Sequence, residues 1–359
     1  MNALLEGAPR RLLTKGNEAI CLGAIAAGCR HYYGYPITPQ NDIPEYMAAH
    51  LPALGGSFLQ AESEVATINF LLGTSASGKR VMTSSSGPGI SLMQEGLSYM
   101  AGSELPAVIV NISRSGPGLG GIAPSQGDYF QSVKGGGHGG YRLIVLAPHS
   151  VQEMYSLTML AFDLSDRYRT PAVILGDAIV GQMKEPFTAT PYDPSGATEK
   201  PWALTGCAGR GRRNIKSLHL KDNEIEVHNW KLHEKYETIR RNEARAESFL
   251  LAGAKIGIVA FGTAARVAKT AIQWARGEGI AAGMLRPITL FPFPTMQVFE
   301  LARNVDVVLV IEMNTGQMLE DVRQSTPLHD KIAFLGKPCA MPTPEEILET
   351  IREAAGRKG

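Results

Sequence analysis

No cysteine pair with the spacing of a cluster or zinc ligand set occurs in this sequence. The four cysteines, Cys21, Cys29, Cys207 and Cys339, include no C-x-x-C pair. The chain therefore cannot by itself supply the four thiolates that an iron–sulfur cluster or a structural zinc needs. Each reads as a small buried hydrophobe, Cys21 and Cys29 as a core stripe on one helix. Neither charge is in excess: 35 basic against 34 acidic side chains leave a formal net charge of +1, which gives no reason to expect nucleic acid or an anionic membrane as a partner. No segment is apolar and long enough to span a bilayer, and no apolar stretch of roughly 7–15 residues follows Arg10, Arg11 and Lys15. A cytoplasmic location is the expectation. No tandem repeat at periods of roughly 20–50 residues points to a solenoid or propeller. What is present is an ordinary globular composition, 359 residues with 44% hydrophobic and 19% charged, enough for two domains with their own cores.

From Lys15 to about Asp177, helix-like and strand-like segments alternate, the pattern of an open α/β domain with a parallel sheet. Periodicity predicts helices over 17–28, 41–49, 62–77, 90–102 and 151–165, and strands over 31–35, 57–60, 80–84, 106–112, 142–146 and 171–175. The clearest strand is Ala107 to Ile112, a short β-branched run bounded by Pro106 and a glycine-rich turn. Residues 184–252 read as a linker, with Pro186, Pro191, Pro194 and Pro201 and the basic turn Gly209–Arg213. Its stretch Glu234 to Arg245 pairs acids with bases three or four residues on, as an exposed helix does. A second, smaller α/β unit over 253–359 looks complete in itself, with strands at 255–260, 280–284, 306–311 and 332–335 and helices at 264–277, 294–303, 316–324 and 344–356. The expected fold is thus α/β, an open parallel-sheet domain over 1–183 followed by a smaller α/β domain.

Several short motifs admit both a structural and a functional reading. Gly116-Pro-Gly-Leu-Gly-Gly121 satisfies G-x-G-x-x-G after a strand, but Pro117 and Pro124 stand where the turn and the pyrophosphate-binding helix should be, so a dinucleotide site is rejected. Gly23 to Gly28 lacks the ending of a phosphate loop and reads as small residues that let a helix pack closely. Lys134-Gly-Gly-Gly-His138-Gly-Gly140 is either a lid or a plain connection, and His138 has no visible partner to orient it. Thr83-Ser-Ser-Ser-Gly-Pro-Gly89 leaves a strand and enters an apolar helix, so its hydroxyls and N–H groups either cap that helix or bind a polar ligand. Glu62 and Glu64 sit where a helix dipole favours acids in any case, and their spacing points them to different sides, one inward and one to solvent. Arg114 ends a strand at the mouth of the sheet, placed to hold a carboxylate or simply to meet water.

Taken together, Tyr35-Pro36-Ile37-Thr38-Pro39, Gln60 to Ala66, Thr83 to Gly89, Met93-Gln-Glu-Gly96 and Ser113-Arg114 resemble the α subunit of 2-oxoacid:ferredoxin oxidoreductases. Ala260 to Thr263, Leu285 to Pro292 and Glu312 to Gln317 resemble the transketolase C-terminal-like domain of the same subunit. The resemblance implies a thiamine diphosphate pyrimidine-binding domain in which Glu64 hydrogen-bonds the aminopyrimidine N1′ and promotes the tautomer that removes the C2 proton. Thr38 and Arg114 are then expected near the carboxylate and carbonyl of the 2-oxoacid. Tyr35, Pro36, Ile37, Ser86 and Gly87 are expected to join Glu64 in holding the cofactor, whose chemistry the protein orients.

Neither Gly127-Asp128-Tyr129 nor Gly176-Asp177-Ala178 fits the family's Gly-Asp-Gly signature for the diphosphate end. The resemblance thus implies a separate β subunit carrying Mg2+ and the diphosphate half-site, with γ and ferredoxin-like δ subunits holding the iron–sulfur clusters. The cofactor would lie at the α/β interface, and the chain alone would be inactive. The implied reaction is CoA-dependent oxidative decarboxylation of a 2-oxoacid to acyl-CoA and CO2, with electrons passed to ferredoxin, or to NAD through added subunits. Ser113 to Ile122 with Lys134 to Arg142 look most like the branched-chain 2-oxoisovalerate enzymes. A 2-oxoglutarate enzyme would need a further cation, for which Arg142 and Lys134 are the candidates. Aryl or indolyl 2-oxoacids, a non-oxidative thiamine enzyme and a partner-binding scaffold without cofactor are the other readings.

Overall fold

The fold, given by a computed structural model, is described for residues 8–193 and 198–356. Pro194 of the expected linker, and the outermost residues 1–7 and 357–359 of the two expected domains, lie outside the described residues. In chain order the elements of the first half are β1 (Arg10–Lys15), α1 (Gly16–Ala26), β2 (His31–Gly34), α2 (Asp42–His50), β3 (Ser57–Gln60), α3 (Glu64–Ala76), β4 (Val81–Ser85), α4 (Gly87–Gly102), β5 (Val108–Ser113), α5 (Tyr129–Val133), β6 (Ile144–Leu146), α6 (Val151–Tyr168), β7 (Ala172–Asp177), α7 (Ala178–Gln182) and β8 (Lys184–Ala189). The second half runs α8 (Glu224–Glu243), β9 (Ala246–Phe249), β10 (Ile256–Ala260), α9 (Gly262–Gly277), β11 (Ala282–Pro287), β12 (Thr289–Phe291), α10 (Thr295–Asn304), β13 (Val307–Glu312), α11 (Gln317–Ser325), β14 (Ile332–Gly336) and α12 (Pro344–Gly356).

The first sheet has the order β12-β6-β7-β5-β4-β2-β3, parallel except for its edge strand β12. Every residue of β4, β5 and β7 is buried, as expected for central parallel strands covered by helices on both faces. The small residues of α1 do let it approach α6 closely: a Cβ on Gly23 would lie 2.4 Å from the carbonyl oxygen of Tyr155. Periodicity missed the short antiparallel ribbon β1/β8, in which Pro186 and the exposed, polar ends obscure any strand pattern.

The second sheet, β14-β13-β10-β11-β9, corrects the expectation that the second unit is complete in itself. Its edge strand β9 comes from the segment read as linker and runs antiparallel to β11. In return, β12 leaves the second unit and pairs with β6 of the first sheet. Helix α8 is likewise more than an exposed spacer. Its stripe Leu232, Tyr236, Ile239 and Glu243 is buried, and Glu243 accepts a hydrogen bond of 2.7 Å from the Tyr168 hydroxyl on α6.

A buried charge network joins the two units. Arg286 of β11 is 1% exposed and grips Glu153 of α6 with two bonds of 2.6 and 3.0 Å while its Nε donates to Glu247 of β9 at 2.6 Å. Burial alone would raise the Glu153 carboxyl, but the His149 hydrogen bond and the Arg286 charge outweigh it and hold it at about 2. The cysteines divide: Cys21 and Cys29 are buried, whereas Cys207 and Cys339 are exposed, against the expectation for all four. Cys29 also lies beyond the end of α1 rather than on one helix with Cys21, and burial pushes its thiol up to about 12. Among the described residues no helix is long and apolar enough to cross a membrane.

Candidate functional site

Ser63 decides where α3 begins. Its hydroxyl accepts the Ala66 N–H at 3.2 Å, the N-cap bond that satisfies one orphan donor of the first turn. The helix therefore starts at Glu64 rather than Glu62, which leaves Glu62 exposed ahead of the cap and Glu64 in the first turn at 6% exposure. One acid is thus exposed and the other buried, but because Glu62 stands outside the helix rather than because of their spacing along it. The Glu64 carboxylate lies against α4: a Cβ on Gly89 would stand 2.4 Å from its Oε1 and 2.1 Å from Ser85 Oγ. Only glycine leaves that space.

The segment Thr83 to Gly89 does not use its serines for capping. Ser86 occupies the N-cap position of α4, yet its side chain makes no cap bond. The buried hydroxyls of Ser85 and Ser86 have no hydrogen-bond partner among the described residues. Leaving a buried hydroxyl unpaired costs roughly 1–3 kcal/mol, a cost that native folds seldom carry unless water or a ligand completes the bonds. Gly87 follows with φ +28°, a backbone angle that favours glycine. A Cβ there would lie 3.8 Å from Asp128 Oδ2 and 4.0 Å from Arg114 Cγ. Asp128, at the N-cap of α5, accepts from Asn111 Nδ2 at 3.1 Å. Burial raises its carboxyl above the ordinary range, against the opposing pull of Asn111, Ser113, the Gly87 N–H and Arg114.

Arg114 ties this turn to the loop after β2. Its Nη1 donates to the Thr38 carbonyl at 3.0 Å and its Nη2 to the Leu119 carbonyl at 3.1 Å, while the buried Nε–H has no partner among the described residues. The loop itself is anchored from below. The Gln40 side-chain carbonyl accepts from Ser84, the Ser84 and Tyr32 hydroxyls are 2.6 Å apart, and Gln40 Nε2 donates to the Tyr35 carbonyl at 3.3 Å. Tyr35, Pro36 and Thr38 are exposed and Ile37 half-buried. Thr38, Arg114, Gly87, Ser86 and Glu64 thus all follow the carboxyl ends of β2, β3, β4 and β5, the side on which open α/β sheets bind ligands. On β3, α3 and α4, the elements that flank these residues, Leu59, Val65, Phe70, Leu92 and Tyr99 expose large apolar side chains.

Other motifs resolve as structure. No helix follows Gly116 to Gly121 until Tyr129, and Gly121 N–H closes a turn on the Ser115 carbonyl at 2.8 Å. The loop from Lys134 to Gly140 is docked on α4: Gly136 N–H and the Tyr141 hydroxyl both donate to Gln94 Oε1, at 3.1 and 3.0 Å. Phe261 and Met313, in the second-unit motifs, hold Gln126 through its side-chain amide at 2.9 and 3.0 Å. Thr263 donates to the buried Asp177 at 2.8 Å. Sequence reasoning missed Gln40, Asp128 and the space made by Gly89. Only Gly89 carried a signal, as the second glycine of a Gly-Pro-Gly turn. Among the described residues no group of three or more His, Cys, Asp and Glu side chains gathers as a metal site.

Residues 22–247 match the family model described as pyruvate flavodoxin/ferredoxin oxidoreductase, thiamine diP-binding, and residues 254–339 match that of pyruvate:ferredoxin oxidoreductase core domain II. The chain is 49% identical over 344 residues to the ketoisovalerate oxidoreductase subunit VorB of Methanothermobacter thermautotrophicus, covering 96% of this chain and 98% of the relative. It is 39% identical to the 2-oxoglutarate synthase subunit KorA of Archaeoglobus fulgidus, covering 94% of this chain and 98% of the relative. Among solved structures it superposes on the 2-oxoglutarate:ferredoxin oxidoreductase of Magnetococcus marinus, bound to 2-oxoglutarate, coenzyme A and succinyl-CoA, with a TM-score of 0.85 at 28% identity, over 96% of this chain and 65% of that longer one. A split-gene transketolase, with a TM-score of 0.60 at 14% identity over 99% of this chain and 100% of that chain, shares the fold alone.

Proposed function

The chain belongs to the pyruvate flavodoxin/ferredoxin oxidoreductase family, and from that premise we propose that it is the α subunit of a 2-oxoacid:ferredoxin oxidoreductase acting on a branched-chain, 2-oxoisovalerate-like acid. The reaction is the CoA-dependent oxidative decarboxylation of that acid to acyl-CoA and CO2. The 49% identity to a ketoisovalerate oxidoreductase subunit, against 39% to a 2-oxoglutarate synthase subunit, favours the branched-chain substrate.

Thiamine diphosphate, when bound, supplies the carbanion chemistry and electron sink of decarboxylation. The residues present fit its pyrimidine half: a buried carboxylate, unpaired serine hydroxyls and glycines that leave room at the turn. In this reading Glu64 holds and moves a proton at N1′ of the aminopyrimidine, and its burial excludes water from that exchange. Ser86, Gly87 and the loop Tyr35, Pro36, Ile37 contact the ring. Arg114, with its free Nε–H, and Thr38 receive the carboxylate and carbonyl of the 2-oxoacid, for which a guanidinium fork is suited.

The exposed apolar side chains on β3, α3 and α4 support a partner subunit packing against these elements. A β subunit carrying Mg2+ and the diphosphate half-site, together with γ and ferredoxin-like δ subunits carrying iron–sulfur clusters, completes the proposed assembly, working in the cytoplasm. The division into a pyrimidine-side domain over 1–183, a connecting segment over 184–252 and a transketolase C-terminal-like domain over 253–359 belongs to the same proposal.

The observation that carries this reading is the buried Glu64 carboxylate resting on Gly89 beside unpaired Ser85 and Ser86. Glu64→Gln in the assembled complex, assayed with a panel of 2-oxoacids, CoA and a viologen dye, is expected to leave assembly intact and remove most turnover. Near-normal turnover would refute the role.

A further inference from the structure

From Lys200 to Lys221 the chain carries Lys200, Arg210, Arg212, Arg213, Lys216 and Lys221 and no acidic residue. The same stretch crosses the surface without regular structure, since no helix or strand occurs over 204–223 until α8 begins at Glu224. Connections of this length inside a compact fold are uncommon unless they serve a function. This arm is nevertheless held in place. Leu204 N–H donates to the Ala76 carbonyl at 2.8 Å and Arg213 Nη1 to the Ala203 carbonyl at 2.6 Å. His219 stacks on His228 of α8 with ring centroids 4.7 Å apart, and His228 Nε2 lies 2.8 Å from the Gly102 carbonyl. Ala76 and Gly102 end α3 and α4, whereas Glu64 opens α3, so the arm sits a helix length, roughly 20 Å, from the Glu64 carboxylate.

Two properties of the arm are left unused by the fold. Leu220 is 83% exposed, and Leu204, Leu218 and, in the first turns of α8, Val227 and Trp230 are exposed as well. Lys200 pairs with Asp166 and Lys216 with Glu224, but Arg210, Arg212, Arg213 and Lys221 form no ion pair among the described residues. We propose that the arm is a docking surface for an acidic, partly apolar face of another subunit, an inference that rests on the reading of this chain as one subunit of a complex. Leucines interspersed with unpaired cations suit such a contact: the apolar side chains leave water, and guanidinium groups pair with carboxylates. A second copy of this chain is the wrong occupant, because a two-fold contact sets a patch against itself and would bring cations to cations. Nucleic acid is disfavoured too, since no Phe, Tyr or Trp stands between Ala203 and Lys221 to stack on bases.

The test reads contact and assembly, not turnover, so its outcome is independent of the role given to Glu64. Carbodiimide coupling of the purified complex joins amines to carboxylates in direct contact, and mass spectrometry identifies the pairs. Lys216 and Glu224, 2.6 Å apart, serve as the internal control, and Lys221 is expected to be linked to an Asp or Glu of a partner subunit. Arg212→Glu combined with Lys221→Glu, and separately Leu220→Ser, fall at exposed positions. Each should leave the circular dichroism and melting temperature of the chain unchanged while the dissociation constant for the linked subunit, measured by sedimentation, rises at least about tenfold. Lys221 left unlinked, or linked only within this chain or to a second copy, would overturn the proposal. So would assembly of either variant equal to the parent's, including the case in which the charge variant loses only binding to RNA or to phosphatidylserine vesicles. A chain that purifies without any partner fails both readings, whereas a complex indifferent to these variants fails this one alone.

Discussion

Oε1 of Glu64 and the missing Cβ of Gly89 claim the same space: a methyl group at position 89 would stand 2.4 Å from that oxygen. The first turn of α4 thus sets where the carboxylate sits. Gly89→Ala should help the helix by about 1 kcal/mol on propensity alone, yet it must push Glu64 or Ser85 aside. The expected outcome in the assembled enzyme is an intact fold with turnover reduced at least about tenfold, since small misplacements of a reacting group are costly. Circular dichroism and the dye-linked assay measure both quantities. Unchanged turnover removes the positional claim.

Arg114 is asked both to hold the Thr38 and Leu119 carbonyls and to meet the substrate carboxylate. Arg114→Ala should raise the apparent KM for the 2-oxoacid by roughly tenfold or more, the scale of losing a charge-assisted pair. The KM for CoA serves as the internal control. A 2-oxoacid KM equal to that of the parent would count against the assignment.

Arg286 lies inside the junction with Glu153 and Glu247 as its partners. Arg286→Met leaves both carboxylates without their shared cation and should destabilise the fold by about 3–5 kcal/mol, read as a lowered denaturation midpoint. Glu153 also sets a pH dependence. Its folded pKa of about 2 lies below the ordinary 4.5, so its stabilisation is present above pH 4.5 and is lost as pH falls from there toward 2. The gap in stability between parent and Arg286→Met should narrow across that range; a constant gap would contradict it.

Glu312 behaves in the opposite sense. Its carboxylate accepts the N–H groups of Met318 and Leu319 at 2.8 and 2.9 Å, but burial prevails and pushes it up to about 7. The folded state therefore retains a proton that the unfolded chain releases near 4.5, and stability is lost as pH rises between these values. Glu312→Gln removes that titration. Its melting temperature relative to the parent should move upward from pH 4.5 to 7, by an amount corresponding to about 2–3 kcal/mol. A flat difference would show that Glu312 titrates normally.

The strands and helices were legible because their patterns are local. Val108 to Val110 and Ala172 to Leu175 are short, largely β-branched apolar runs of the kind buried parallel strands carry. For the turn from Thr83 to Gly89 the sequence left capping and ligand binding open, and the structure shows that Ser86 makes no side-chain cap bond. What stayed hidden depends on distant partners. Thr289–Phe291 is too short to show any period, and its pairing with β6 is decided by how the two units meet. Asp128 looked only like a failed metal motif, since nothing nearby in sequence announces that Asn111 and Gly87 converge on it. Cys207 and Cys339 were misjudged because residue type predicts burial only on average.

The strand exchanged at Thr289–Phe291 makes the two halves a mortise joint rather than neighbours across a seam. Cutting the chain between them would strip β6 of its outer partner and bare a row of unsatisfied N–H and C=O groups, an invitation to self-association. An isolated first half should accordingly be insoluble unless that tenon is restored, and any movement during turnover must be sought within loops or between whole subunits.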